Sequence, residues 1–528
     1  MESPSHMLGK QKTLKPLRTA SNNSGRSISL AYLCFFSDLS EYVLRFHKII
    51  VFLQEKIDML FNSISFLIFF PIVCLIYFAI PNNCNKIRNS FLLFASYYFY
   101  MNWEPAYALL LLTSTFITYS ASIGIGHFQE KKLKKLCLVS SIVLNLSILF
   151  LFKYYNFITE NVLLTLQTCH LSIDMPKFTL LLPVGISFYT FQALGYSIDV
   201  YKGTTKIERS FFTYALFVSF FPQLVAGPIE RSNNLLPQFK EKHTIDYDRI
   251  MNGLRLMVWG YFMKLVLADR CAIYVDVIFN HVGAHNGGSY LIASLLFPFQ
   301  IYGDFAGYSL IAIGVANVLG FRLMENFHHP YFACTIGDFW HRWHISLSTW
   351  FKDYVYIPLG GNRVSKARCY LNLFVTFVVS GIWHGANWTF FLWGSLHGVL
   401  LCIEKACNIN KKKFHGISRL FQWCVTFILV CFAWIIFRAN NIQELLEVLS
   451  NIFTNLEYPN EMQFGIFLAI MATLVILFIK EYIEEFKPSY YQKLISNKIL
   501  MHLYFILMIP YIILFGVFRG DQFIYFQF

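Results

Sequence analysis

His384 lies in the octapeptide GIWHGANW, residues 381–388, flanked by Gly381 and Gly385 and by Trp383 and Trp388. The apolar run YLNLFVTFVVS leads into this stretch and TFFLWGSLHG follows it. An ionisable group at bilayer depth costs roughly 2.5 kcal/mol or more, so it marks a pathway or a reaction centre. Taken alone, a buried histidine in a helical bundle is more often an interhelical hydrogen-bond donor than a catalyst. His384 is not isolated, however. Polar residues concentrate between 298 and 400, in PFQIYGDFAGYS (298–309), HHPYFA (328–333), DFWHRWHISLSTWFKDYVYIPLGGNR (338–363) and GIWHGANW.

The segment 338–363 is too polar to face lipid and too aromatic for open water. Such backbone survives at membrane depth only inside protein or along a cavity. We therefore read it as re-entrant or interfacial helices leading into a central funnel. His341 and His344 are three positions apart, on one face if the segment is a single helix. That spacing permits a metal, but no third ligand has a matching register and HEXXH is absent, so the expectation is no metal. Asp304 falls in a glycine-rich stretch, GDFAGYS, expected to break its helix, where it either orients a neighbouring group or serves the fold. Glu230 and Arg231, after Gly227 and Pro228, read as a loop turn or surface pair.

These residues are held by a chain that uses lipid as solvent. Of 528 residues, 56% are hydrophobic and only 14% charged, too much apolar surface for one soluble core. The expected fold class is all-α and polytopic, with about eleven to thirteen membrane spans. Apolar runs near the roughly 20 residues a bilayer requires are read at 62–80, 90–103, 106–126, 136–152, 178–198, 211–229, 250–268, 289–319, 371–383, 388–404, 420–437, 463–480 and 500–518.

The net charge of +13 reads as topology and contact with anionic headgroups rather than nucleic acid binding. Lys131, Lys132, Lys134 and Lys135 fill one loop, and Lys202, Lys206 and Arg209 fill another on the same side, which the positive-inside rule makes cytoplasmic. The basic loop Lys411 to Lys413 contrasts with the acidic stretch of Glu444, Glu447, Glu457 and Glu461, expected outside. Residues 1–58 carry eight Lys and Arg and no 20-residue apolar run. They are expected to be an extension ahead of a working start at Met59, or a disordered or amphipathic one, with residues 59–528 forming the membrane domain. The twelve cysteines show no C-x-x-C, and no G-x-x-x-x-G-K-[ST] occurs, which argues against a structural zinc site and ATP-driven transport.

Together DFWHRWHISLSTWFKDYVYIPLGGNR, GIWHGANW, YGDFAGYS and AGPIERSNNLLPQF (226–239) resemble the membrane-bound O-acyltransferase family, in its bacterial alginate O-acetylation branch. The resemblance runs from about Met59 to the last apolar run. It implies that His384, in the W-H-G motif, is catalytic, and that His344, in R-W-H-x-S-L-S, belongs to the same site. His341 stands where the branch often has Arg, and no role is carried onto it. The resemblance further implies an acetyl-CoA or other thioester donor with no bound cofactor, a polysaccharide acceptor, an SGNH-type periplasmic or extracellular acetyltransferase partner, and the bacterial inner membrane. Acyl transfer to a hydroxyl needs a base and a dry channel holding both substrates. His384 is the expected base; Gly381 and Gly385 give room, Trp383 and Trp388 shape the channel, and Asp304 and His344 support. The competing classes are a flippase for a lipid-linked sugar and a non-catalytic scaffold of a polysaccharide export complex.

Overall fold

The computed structural model describes residues 59–528 except 82, 172–174, 179–181, 410, 411, 413, 460, 519–522 and 525–528. The expected extension 1–58 and most of the basic loop at 411–413 lie outside the described residues. Within them the chain is helical and contains no strand. Lipid offers the backbone no hydrogen-bond partners, and helices satisfy those groups internally.

Among the described residues, six helices are long and apolar enough to cross a membrane: Pro105–His127, Lys131–Thr168, Gly287–Leu319, Gly416–Arg438, Phe464–Phe486 and Lys498–Phe515. Several other expected spans are shorter or divided. The run at 178–198 holds the helix Ile186–Lys202, and 211–229 holds the nine-residue helix Phe211–Ser219 followed by the turn Phe221–Leu224.

The stretch expected to break at Pro298 and the glycines is instead one unbroken helix, Gly287–Leu319. Its glycines form a packing seam. A Cβ on Gly260 would lie 2.6 Å from the Gly307 carbonyl oxygen, and one on Gly314 would lie 2.5 Å from that of Gly253. The helix Tyr247–Tyr261 therefore runs in backbone contact with it, as small residues permit between membrane helices. Where Pro298 interrupts the internal ladder, its own carbonyl accepts the Tyr331 hydroxyl at 2.5 Å.

A second seam builds the hairpin that carries His384. Helices Lys366–His384 and Trp388–Ala406 meet at Gly381 and Gly394, where a Cβ on Gly381 would overlap the Phe390 carbonyl oxygen. Three residues turn the chain, and Asn387 caps the second helix by accepting from the Thr389 amide at 3.1 Å. His384 is thus the last residue of its helix, at the hairpin's apex.

Chain contacts sort the loops onto two faces. Tyr119 donates to the Arg209 carbonyl and Lys202 to that of Asp353, joining the basic loops and the 353 region on one face. On the other, Asn387 donates to the Asn440 carbonyl, and the Gly287 amide to that of Asn455. The buried side chains form two apolar cores, one containing Trp383 and Trp350, the other containing Trp393, Trp434 and Phe437.

Candidate functional site at the seam between two cores

His384 occupies the junction of those cores. Its ring lies 4.9 Å from Trp383 in one, and 5.1 Å from Trp393 and 5.5 Å from Phe437 in the other, all edge-on. The residue is 3% exposed. The Lys153 ammonium donates to the carbonyls of Trp383 and His384 at 2.9 and 2.7 Å, placing a cation on the helix C-terminus, where the backbone dipole favours one. Lys153 sits in a π-helical turn, Phe150–Tyr154, within the long helix Lys131–Thr168.

Two cavities approach this junction. One, of about 790 Å³, is lined by Trp340, His341, Phe377 and Ser380 and reaches Lys352, Lys366 and Lys405 on the basic face. The other, of about 410 Å³, is lined by Lys153, Ala386, Asn387, Phe437 and Arg438 toward the opposite face. Ser380 on the first cavity and Ala386 on the second bracket His384 in the chain, while the imidazole itself lines neither. Both volumes are in the range of small-molecule sites.

His341 and His344 do not share a helical face. The helix Ile336–Arg342 ends before Trp343, and His344 turns the chain in the left-handed region, at φ 45°, to open the helix Ile345–Phe351. Its ring is fully buried and edge-on to Phe305 at 4.6 Å. His344 Nδ1 lies 3.0 Å from Asn326 Oδ1, which also accepts the Ser346 hydroxyl at 2.9 Å. The Asn326 amide nitrogen donates to the Ser309 hydroxyl, fixing Oδ1 as the acceptor. Nδ1 therefore carries the proton and Nε2 the lone pair. That Nε2 is buried and has no hydrogen-bond partner among the described residues. Glu404 braces the segment by accepting the amides of Ile336 and Gly337 at its helix N-terminus.

The remaining expected residues divide. Trp383 is buried in the first core and stacks on Phe191 at 5.2 Å. Trp388 is 48% exposed and donates to Asn161, so it walls nothing around the imidazole; Trp393 does that instead. Gly381 permits the hairpin's backbone contact, while a Cβ on Gly385 would strike the Phe390 ring. Asp304 faces away from the histidines: its oxygens hold Lys264 at 2.7 Å and the Ile524 amide at 2.6 Å, and Lys264 also pairs with Asp269. Glu230 and Arg231 are no surface pair. Glu230 is buried, takes the Met324 amide and the Asn234 side chain, and burial pushes its carboxyl up to about 7. Arg231 pairs with Asp353 at 2.8 Å.

Sequence reasoning missed Lys153, Asn326, Trp393 and Phe437. Lys153 had a signal, a single cation in the apolar run FLFKYY. The other three look like ordinary core or loop residues until the fold assembles them.

Residues 96–445 match MBOAT, the membrane-bound O-acyltransferase family. The chain is 40% identical to the "Probable alginate O-acetylase AlgI" of Pseudomonas aeruginosa over 391 residues, 73% of each chain. It is 37% identical to a peptidoglycan O-acetyltransferase of Helicobacter pylori over 421 residues, 74% of this chain and 79% of that one. A teichoic acid D-alanyltransferase of Bacillus subtilis is 27% identical over 282 residues, 50% of this chain and 70% of its own.

Proposed function

The chain belongs to the membrane-bound O-acyltransferase family, and on that premise we propose that it carries an acetyl group from a thioester on one face of the membrane to a cell-envelope polysaccharide on the other. It is a multi-pass membrane acyltransferase. The positive-inside rule makes the basic face cytoplasmic, so acetyl-CoA would enter the 790 Å³ cavity, past Lys352, Lys366 and Lys405, in the bacterial inner membrane. The relatives named for alginate and peptidoglycan acetylation support a polysaccharide acceptor, with an SGNH-type partner completing delivery.

The observation that carries this reading is that residues on either side of His384 in the chain, Ser380 and Ala386, line two cavities that reach the basic face and the opposite one. In the proposed reaction His384 takes the proton of the attacking hydroxyl as its oxygen bonds to the thioester carbonyl carbon. The carbon–sulfur bond then breaks, and the leaving thiolate takes the proton back from the imidazolium. His344 presents its Nε2 lone pair to the same region, where it orients the incoming hydroxyl. The aromatic rings around His384 exclude the water that would otherwise hydrolyse the thioester.

His384→Ala tests the reading in membranes supplied with labelled acetyl thioester. A positioned general base contributes about 10²–10⁴-fold in rate, so transfer should fall by that factor at unchanged protein level and extraction behaviour. A well-folded variant with normal transfer would remove the catalytic role and leave the scaffold reading.

A further inference from the structure

Away from the acyl-transfer site, the loop after Asn326 brings two adjacent histidines against the end of the helix Phe464–Phe486. His328 Nε2 lies 3.5 Å from Glu485 Oε2, and His329 Nδ1 lies 3.2 Å from the same oxygen. The three ligand atoms all fall within 4.8 Å of one another. Donor atoms around a tetrahedral ion with bonds of about 2.0–2.1 Å stand about 3.3 Å apart. The two distances to the carboxylate bracket that spacing.

What surrounds these atoms is equally specific. A metal-binding imidazole characteristically donates its other nitrogen to a carboxylate or carbonyl, which fixes its tautomer, and a ligating carboxylate is itself hydrogen-bonded. Here His329 Nε2 is 2.9 Å from Glu484 Oε2, and His328 Nδ1 is 3.3 Å from Glu325 Oε1. Arg342 holds Glu485 Oε1 at 3.0 Å, and Lys480 holds Glu484 Oε2 at 2.6 Å. The nearby cations thus occupy oxygens that an ion would not need. A third carboxylate, Glu481, is 2% exposed; its Oε1 accepts from Tyr302, and its Oε2 has no hydrogen-bond partner among the described residues. Glu481 lines the same cavity, of about 360 Å³, as His328, His329 and Glu484. The His328 side chain is half exposed, which gives an ion a way in.

We propose that His328 Nε2, His329 Nδ1 and Glu485 Oε2 bind a divalent transition metal ion of the zinc class, with water in the remaining position. Imidazole and carboxylate donors suit that class. The ion pins residues 328 and 329 to the helix Phe464–Phe486. Asn326, two residues before His328, accepts the hydrogen bond from His344 Nδ1, so the metal steadies the peptide that orients His344 without touching the reaction.

The test is Co²⁺ binding to the full chain, detergent-solubilised near pH 7.5, after removal of any affinity tag. About one Co²⁺ per chain should bind with the visible absorption of a four-coordinate site, and Zn²⁺ should displace it. His329→Ala and Glu485→Gln should each weaken binding at least tenfold, whereas His281→Ala, at an exposed histidine remote in sequence, should not. Wild-type chain that binds no cobalt, or binds it with only a weak octahedral spectrum, overturns the proposal even where the variants fail to fold. Undiminished binding by folded His329→Ala and Glu485→Gln overturns it as well.

Discussion

Two groups of polar side chains sit deep in this apolar bundle and are built on opposite logic. Around Lys264, Asp269 and Asp304, the polar groups bond to one another: the ammonium meets both carboxylates at 2.7 Å, and a backbone amide donates to the remaining oxygen of Asp304. Around His384 and His344 the groups are imidazoles among aromatic rings, a cavity approaches from each face, and His344 keeps an unbonded nitrogen. On the proposed function the first arrangement serves the fold and the second takes the substrate. Burial of a polar residue in a membrane protein therefore does not identify a site; the histidine pair is set apart by its uncharged imidazole chemistry among aromatic rings with a cavity lined by chain neighbours on either side.

Substitutions separate the two regions. Removing Asp304 leaves Lys264 paired with Asp269 but takes away one carboxylate and the acceptor of the Ile524 amide, so the cost should stay below the about 3–5 kcal/mol of a buried charge left wholly unpaired. Asp304→Ala should accordingly lower the thermal midpoint and yield of the detergent-solubilised protein, with transfer per folded molecule retained. A folded, stable Asp304→Ala protein lacking transfer would move Asp304 into the reaction and blur the contrast.

Asn326→Ala should fall between the regions. It removes the oxygen that accepts from both His344 and Ser346, leaving buried donors unpaired at about 1–3 kcal/mol each. Reduced stability and reduced transfer together are expected from thermal melts and labelled-acetyl assays on one preparation. Loss of neither would detach His344 from the site.

Trp388→Ala should do least. The ring is half exposed and donates to Asn161, so stability should change by about 1 kcal/mol or less and transfer should persist. A large loss of transfer would restore Trp388 to the channel wall.

The sequence made the class of fold legible, because the apolar content leaves a helical membrane bundle as the available solution. The burial of His384 was legible because its motif combines an imidazole with glycines and tryptophans in an apolar setting. Trp388 shares that motif yet points elsewhere, since adjacent positions across a hairpin turn diverge once Asn387 caps the next helix. Asp304 misled for a related reason: glycines at 303 and 307 suggested a broken helix, whereas they are the contact surface of an unbroken one. His341 and His344 looked paired because helical spacing was assumed across Trp343, where the chain turns left-handed. Asn326 and Phe437 reach the site through tertiary packing alone, and no local pattern marks them.

In the proposed reaction His384 is the general base for acyl transfer from a donor entering at one face to a hydroxyl entering at the other. Purified protein reconstituted in sealed vesicles of uniform orientation tests it most directly, with labelled acetyl-CoA supplied only at the basic face and a polysaccharide acceptor with its acetyltransferase partner only at the other. Wild-type protein should acetylate the acceptor across the bilayer and His384→Ala should lower the rate about 10²–10⁴-fold. Transfer of equal rate by a folded His384→Ala protein, or transfer only when donor and acceptor share a face, would contradict the account.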